Sequence, residues 1–189
     1  MKKVKGIVKL KELGLPTPRT IFIKDLKSQL NEVNNFLLDK DYVMIRSDRE
    51  GQSTHCPRNL KCLSREAKDF IKELNNNNYV AILQEYVPLN NHYSGNVLVL
   101  DNSFIIEAVR GGPTSKLNRD GLMNEHLRIE REGGVSFRHG EQLIPEKEIK
   151  MIINRVKNLP KYNIYEFSRG PDWFYFWQVR EDPTSRLLD

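Results

Sequence analysis

No apolar run in the 189 residues approaches the roughly 18 to 20 needed to span a bilayer. The basic start has no apolar signal segment behind it, so a soluble cytoplasmic protein with no membrane partner is expected. Cysteine is scarce as well: Cys56 and Cys62 stand alone, with His55 beside the first. A zinc site takes four ligands, or three and a water, and no second cluster follows, so free thiols are expected. The four histidines, His55, His92, His126 and His139, show no paired spacing and read as loop or surface residues. Internal repeats, low-complexity tracts and long linkers are lacking, and so is any basic run with interleaved aromatics. A nucleic-acid partner therefore rests on net charge alone.

That charge is +5 and uneven, since residues 1–30 hold eight Lys or Arg against Glu12 and Asp25. Such a front end favours an anionic partner, a nucleoside triphosphate included, although a solvated lysine-rich surface has the same composition. With 39% hydrophobic residues the chain is long enough for one well-cored domain or two small lobes.

Periodicity supplies the elements. Lys5 to Leu13 has helical spacing and stops at Gly14, after which Leu15-Pro16-Thr17-Pro18 forces an extended path into a strand at 20–23. Asp25 is placed to cap a helix with Leu26, Leu30, Val33 and Leu37 on one stripe. A strand over 42–45 delivers Arg46 at its end, and Ser47 to Arg58 reads as a mobile polar loop. A short strand over 60–63 leads to Ser64, which caps a helix bearing Ala67, Phe70, Ile71 and Leu74. That helix dissolves in Asn75 to Asn78, the expected boundary between lobes at 1–78 and 79–189. The second half is rich in strands, over 79–87, 95–100, 103–109, 125–130 and 135–138, with Asp101-Asn102 a hairpin tip. Pro145 opens a helix with Ile149, Ile152, Ile153 and Val156 on one face.

The last strands carry the chemistry. Tyr162 to Phe167 and Trp173 to Val179 flank a Gly170-Pro171-Asp172 turn that pairs them antiparallel. Glu166 interrupts an apolar strand, where a charge is costly unless it is paired or binds a cation. Gln178 adds a neutral oxygen and Arg180 a guanidinium. A carboxylate, an amide oxygen and a guanidinium suit a magnesium ion and a phosphate chain; a Glu166–Arg180 ion pair without metal fits the same pattern. Arg46, at a strand end beside the polar loop, suits a phosphate oxygen or a surface salt bridge.

Several motifs occur in a fixed order: Gly14-Leu15-Pro16-Thr17-Pro18, Val43-Met44-Ile45-Arg46-Ser47, Ile82-Leu83-Gln84-Glu85-Tyr86-Val87, Ser94-Gly95, Glu166, and Gln178-Val179-Arg180. This succession resembles the ATP-grasp fold and, more narrowly, the nucleotide-binding domain of phosphoenolpyruvate synthase and pyruvate phosphate dikinase. The resemblance implies an α+β fold of two α+β lobes with a nucleotide cleft between antiparallel sheets. It implies ATP and Mg2+ as cofactors, Gln84, Glu85, Tyr86 and Val87 as the adenine-binding hinge, and Glu166 with Gln178 at the metal. Arg46, Arg180 and a lysine, Lys5 or Lys9, would contact phosphate. Glu107, Arg110 and Gly111-Gly112 resemble the acidic, glycine-rich segment beyond the hinge. One departure stands out: Ile164 occupies a position that is acidic in the related enzymes.

The chain lacks the length for a phosphohistidine domain and a pyruvate-binding barrel, so the full dikinase reaction is not expected of it. The expectation is a minimal ATP-grasp protein transferring a phosphoryl group from Mg-ATP to a small-molecule carboxylate or a partner protein. An ATP-dependent carboxylate-amine ligase and a non-catalytic nucleotide-binding or regulatory module are the alternatives.

Overall fold

A computed structural model of the chain describes residues 2–51, 56–88 and 92–182, with only the backbone of Arg119. His55 and the middle of the expected polar loop lie outside the described residues. The chain divides into two compact units, one of residues 1–8 and 18–87, the other of residues 9–17 and 88–189. The boundary after Val87 falls beyond the asparagine run expected to mark it.

The first unit is built on a four-stranded antiparallel sheet formed by β1 (Thr20–Ile23), β2 (Tyr42–Asp48), β3 (Asn59–Leu63) and β4 (Val80–Glu85), in the order β1-β4-β2-β3. One face of alternating residues, Ile23, Val43, Ile45, Cys62, Ala81 and Leu83, forms a core with α2 (Leu30–Leu37) and α3 (Ala67–Asn76). These helices contribute Val33 and Phe36, and Ala67, Ile71 and Leu74, which recur every three or four residues. Residue alternation puts Thr20, Met44, Arg46, Ile82 and Gln84 on the other face.

Two local expectations are corrected. Asp25 does not cap α2: its carboxylate accepts the Lys27 and Ser28 amides in a turn, and the helix begins only at Leu30. Ser64 opens a 3-10 turn, with no side-chain cap on α3. Helix α3 ends within the asparagine run as expected, at Asn76, and Asn75 ties the chain there: its amide donates to the Ile23 and Tyr79 carbonyls and its oxygen accepts Leu26 N–H at 2.9 Å. Strand β2 also runs three residues further than expected, through Arg46, Ser47 and Asp48. Asp48 is 1% exposed because it has a structural task, accepting Val4 N–H at 2.9 Å and Arg49 N–H at 3.0 Å. It thereby satisfies an otherwise orphaned amide in the first turn of α1 (Lys2–Glu12), 44 residues away in sequence.

The second unit holds a six-stranded antiparallel sheet in the order β10-β9-β5-β6-β7-β8. Its strands are β5 (Tyr93–Val99), β6 (Ser103–Arg110), β7 (Glu125–Glu130), β8 (Val135–Gly140), β9 (Asn163–Arg169) and β10 (Phe174–Glu181). Tyr93, Val97, Phe104, Ile106, Leu127, Tyr165, Phe167 and Phe176 form its core with α5 (Glu146–Val156), through Ile149, Ile152, Ile153 and Val156. Leu10 and Leu15 join this core. Gly95 is required there, because a Cβ would meet the Glu107 carbonyl and the Phe167 ring. A short helix unforeseen in the sequence, α4 (Ser115–Asp120), follows β6, and Gly111, Gly112 and Gly121 take positive φ on either side of it.

Candidate functional site

The antiparallel register of the six-stranded sheet aligns one polar residue from every strand. Gln178 lies opposite Glu166, Glu166 opposite Asn96, Asn96 opposite Glu107, Glu107 opposite His126, and His126 opposite His139. Side chains directly opposite one another project from the same face, their Cβ atoms about 5 Å apart. The row therefore crosses the face opposite the α5 core. Glu166 and Gln178, chosen from sequence on separate grounds, are cross-strand neighbours. A bulge makes them so: Phe176 pairs with Phe167 and Gln178 with Glu166, leaving Trp177 as the extra residue.

Glu166 is the most enclosed acid of the row, its side chain 12% exposed. Its carboxylate accepts from Thr114 Oγ1 at 3.2 Å and from Asn118 Nδ2 at 3.3 Å, and Arg180 Nε stands 3.7 Å away with its side chain 43% exposed. These contacts are long for charge-assisted bonds, which favour about 2.7–2.9 Å. Asn96 Nδ2 donates to Asn118 Oδ1 at 2.8 Å, but its own Oδ1 is buried without a hydrogen-bond partner. A buried lone acceptor beside a carboxylate is a place for a donor or a cation.

Glu166, Gln178 and Asn96 thus offer three oxygen donors from adjacent strands. The set suits magnesium, which binds oxygen and takes one or two carboxylates with the remaining positions left to water or phosphate. Among the described residues no group of three or more His, Cys, Asp or Glu is placed to hold a metal. Any ion held here would rest on one carboxylate and neutral amide oxygens. The acidic position of the resembled enzymes is apolar in fact as well as in sequence: Ile164 is buried with Leu98 and Leu100 and lies opposite Arg180.

Two histidines meet in space although no sequence spacing pairs them: His139 is exposed and His126 half-buried. His126 and His139 are paired across strands, and His126 Nδ1 sits 3.7 Å from Glu107 Oε1. Thirteen residues separate them, so only the β7–β8 hairpin reveals the pairing. Asn96 was missed because an asparagine in an apolar strand carries no charge signal; its place opposite Glu166 is a fact of register alone.

Polar contacts also fix the glycine-rich segment. Trp177 Nε1 donates to Ser168 Oγ at 2.8 Å, Ser168 and Ser94 share a 2.6 Å hydrogen bond, and Ser94 Oγ donates to Gly112 O at 2.6 Å. The chain of donors has one consistent direction, from the indole to the Gly112 carbonyl. Arg110 is drawn outward to Glu141 at 2.7 Å. Lys9 does not join Glu166; its ammonium faces Glu12 at 3.6 Å.

In the first unit Arg46 lies opposite Ile82 on the sheet face that also carries Gln84. Gln84 is buried: its Nε2 donates to Thr20 Oγ1 at 2.9 Å, and its Oε1 is a second buried acceptor without a hydrogen-bond partner. Glu85 accepts Arg19 N–H at 2.9 Å. Its side chain and Tyr86 line an open depression of about 310 Å3 with Lys40, Asp41 and Tyr42. Val87 is buried and Lys5 is exposed on α1. Cys62 is buried, and burial pushes its thiol pKa up, with the Glu66 charge adding to the effect.

No protein-family model and no curated protein matches the chain by sequence. Solved structures match it in three dimensions. An ADP complex of the N5-carboxyaminoimidazole ribonucleotide synthetase purK superposes with a TM-score of 0.60 at 13% identity, over 98% of this chain and 45% of that one. D-alanyl-alanine synthetase A from Vibrio cholerae O1 biovar eltor gives 0.60 at 12%, over 95% and 54%. The ATP-grasp ligase PsnB, complexed with precursor peptide PsnA2 and AMPPNP, gives 0.51 at 16%, over 96% and 49%. The narrower likeness to phosphoenolpyruvate synthase and pyruvate phosphate dikinase is not carried by these matches. The chain spans about half the length of each of the three. At such identities the likeness is one of fold, and the fold, two α+β units each built on an antiparallel sheet, is that of the ATP-grasp enzymes.

Proposed function

We propose that the chain binds ATP and serves an ATP-dependent carboxylate–amine ligase reaction. The observation that carries this reading is the row Gln178–Glu166–Asn96, a largely enclosed carboxylate between neutral oxygens with one acceptor unsatisfied. The named fold matches support ligation over transfer to a stable acceptor: two are synthetases and one is a ligase, and two of the three structures are complexes with ADP or AMPPNP.

In this reading a carboxylate oxygen of the substrate attacks the γ-phosphorus, the bond to the β-phosphate oxygen breaks, and ADP leaves. An amine then attacks the acyl carbon, the bond to phosphate breaks, and the amine proton passes to solvent. Glu166, Gln178 and Asn96 would hold magnesium, which supplies charge neutralisation at the phosphates when bound. Arg180 withdraws from Glu166 to the phosphate or the substrate carboxylate, since 3.7 Å is a loose pairing that a closer anion displaces. Arg46, with Lys5 or Lys9, is assigned to phosphate, and Gln84 to Val87 to the adenine edge. Catalysis rests on positioning and electrostatics.

A second reading, nucleotide binding without chemistry, is favoured by the apolar Ile164 and by an Arg180 that neutralises Glu166 in the absence of metal. Incubation with ATP, magnesium, hydroxylamine and a panel of carboxylates separates the possibilities. Hydroxamate together with ADP supports ligation. ADP without hydroxamate favours transfer to another acceptor, bound ATP without ADP favours the non-catalytic module, and failure to bind ATP refutes all three.

A further inference from the structure

Beside the polar row, β10 and the residue before it present three aromatic rings that neither the core nor the nucleotide reading uses. Trp173, Tyr175 and Trp177 are each half-buried, whereas Phe174 and Phe176 turn into the core between them. Tyr175 lies opposite Ser168 and Trp177 bonds to it, so the rings stand on the sheet face that carries Glu166.

The rings are held in place. Trp173 lies over Gly170, where any Cβ would fall inside its indole, and it stacks on Tyr175 with centroids 5.8 Å apart and planes at 20°. Trp177 is fixed by the donor chain through Ser168 and Ser94 to Gly112. Tyr175 and Trp177 meet at 6.3 Å with their planes at 65°. A flat ring resting on one of them meets the other edge-on, and both arrangements are favourable for aromatic pairs. Because the rings are already ordered, little side-chain entropy is lost on binding.

The surroundings narrow the ligand. No charged side chain lies between Trp173 and Val179, so the strand itself supplies no row of cations along the rings of the kind that tracks a nucleic-acid backbone. The hydroxyl nearest the rings, Ser168 Oγ, is already engaged by Trp177 Nε1 and Ser94 and is not left over for a sugar hydroxyl. At the end of the same strand stand Gln178, opposite Glu166, and the exposed Arg180. The arrangement calls for an aryl group on the rings and a carboxylate at the guanidinium.

We propose that Trp173, Tyr175 and Trp177 form a stacking platform for the aryl group of the carboxylate substrate, with Arg180 holding its carboxylate beside Glu166. The assignment of this ligand as substrate rests on the ligase reading; its binding does not. The two tryptophans of the chain are both in the platform, so intrinsic emission reports on it without background.

The test is an emission titration of the full chain, without ATP, using 3-phenylpropanoate, hexanoate and 3-phenylpropanol. A saturable change is expected with 3-phenylpropanoate, with hexanoate roughly three- to tenfold weaker, the range an aromatic contact supplies. Arg180→Gln weakens 3-phenylpropanoate about tenfold and leaves 3-phenylpropanol unchanged, as loss of one charge-assisted contact predicts. Tyr175→Leu removes the preference for the aryl acid over hexanoate. Equal affinity for aryl and alkyl acids overturns the proposal, as does the absence of any saturable change. Emission that varies with protein concentration alone, the mark of a self-association surface, also overturns it. If Tyr175→Leu does not fold, the discrimination by the wild-type chain still decides. A chain that binds the aryl acid but not ATP would refute the ligase reading while leaving the platform intact.

Discussion

Replacing Asn96 by leucine should leave the second unit as stable as before or more so, against the usual direction for a buried polar residue. Asn96 Nδ2 donates to Asn118 Oδ1, and its own Oδ1 stays buried without a hydrogen-bond partner. Losing the bond costs about 1 kcal/mol, and Asn118, being exposed, regains water. Removing the orphaned acceptor returns about 1–3 kcal/mol of desolvation. Leucine matches asparagine in side-chain heavy-atom count and branching, and Leu98 and Ile164 already line neighbouring positions of this face. The balance lies between zero and about 2 kcal/mol of stabilisation, the upper end being roughly 8–16 °C in midpoint for a unit of about a hundred residues. Both tryptophans lie in the second unit, so urea unfolding followed by their emission reads that unit alone. The same variant should lose metal-dependent ATP binding. Destabilisation by more than about 1 kcal/mol would mean that the oxygen is satisfied, and the argument that it awaits a ligand would fail.

Two further predictions concern the framework. Asp48→Ala should unprotect the Val4 amide in hydrogen exchange and cost about 1 kcal/mol, the usual worth of an N-terminal cap, while Asp25→Ala should cost clearly less because Asp25 serves an exposed turn. Tyr93 and Tyr165 have their phenol pKa values raised above the ordinary 10.0, chiefly by burial, with Glu148 accepting the Tyr93 hydroxyl bond and adding its charge. A raised folded-state pKa gives stability that is complete below the unfolded pKa of about 10 and lost as pH rises beyond it. Ultraviolet titration should therefore show two tyrosines ionising only as the protein unfolds; seven tyrosines ionising while folded would contradict the burial argument.

What was legible in the sequence is what periodicity and chemistry mark. The α5 stripe, the Asp101-Asn102 hairpin and the strands around Glu166 all follow from local pattern, and Glu166 with Gln178 emerged because polar groups in apolar strands demand a partner. What was not legible depends on register. Asn96 and His126 join Glu166 and Glu107 only because four strands align to the residue, and one slip would turn each to the opposite face. Helix α4 escaped notice because six residues between glycines carry too little periodicity. Asp48 was read as loop because its partner, Val4 N–H, lies 44 positions away. The platform rings read as strand residues and nothing more until the bulge at Trp177 set their direction.

The central claim is that Glu166 anchors a metal-dependent nucleotide site, and calorimetric titration with ATP, with and without magnesium, on the wild-type chain and on Glu166→Ala tests it most directly. The account predicts that magnesium tightens ATP binding to the wild type and that the substitution abolishes this gain while sparing metal-free binding. Equal magnesium dependence in the two proteins would contradict it.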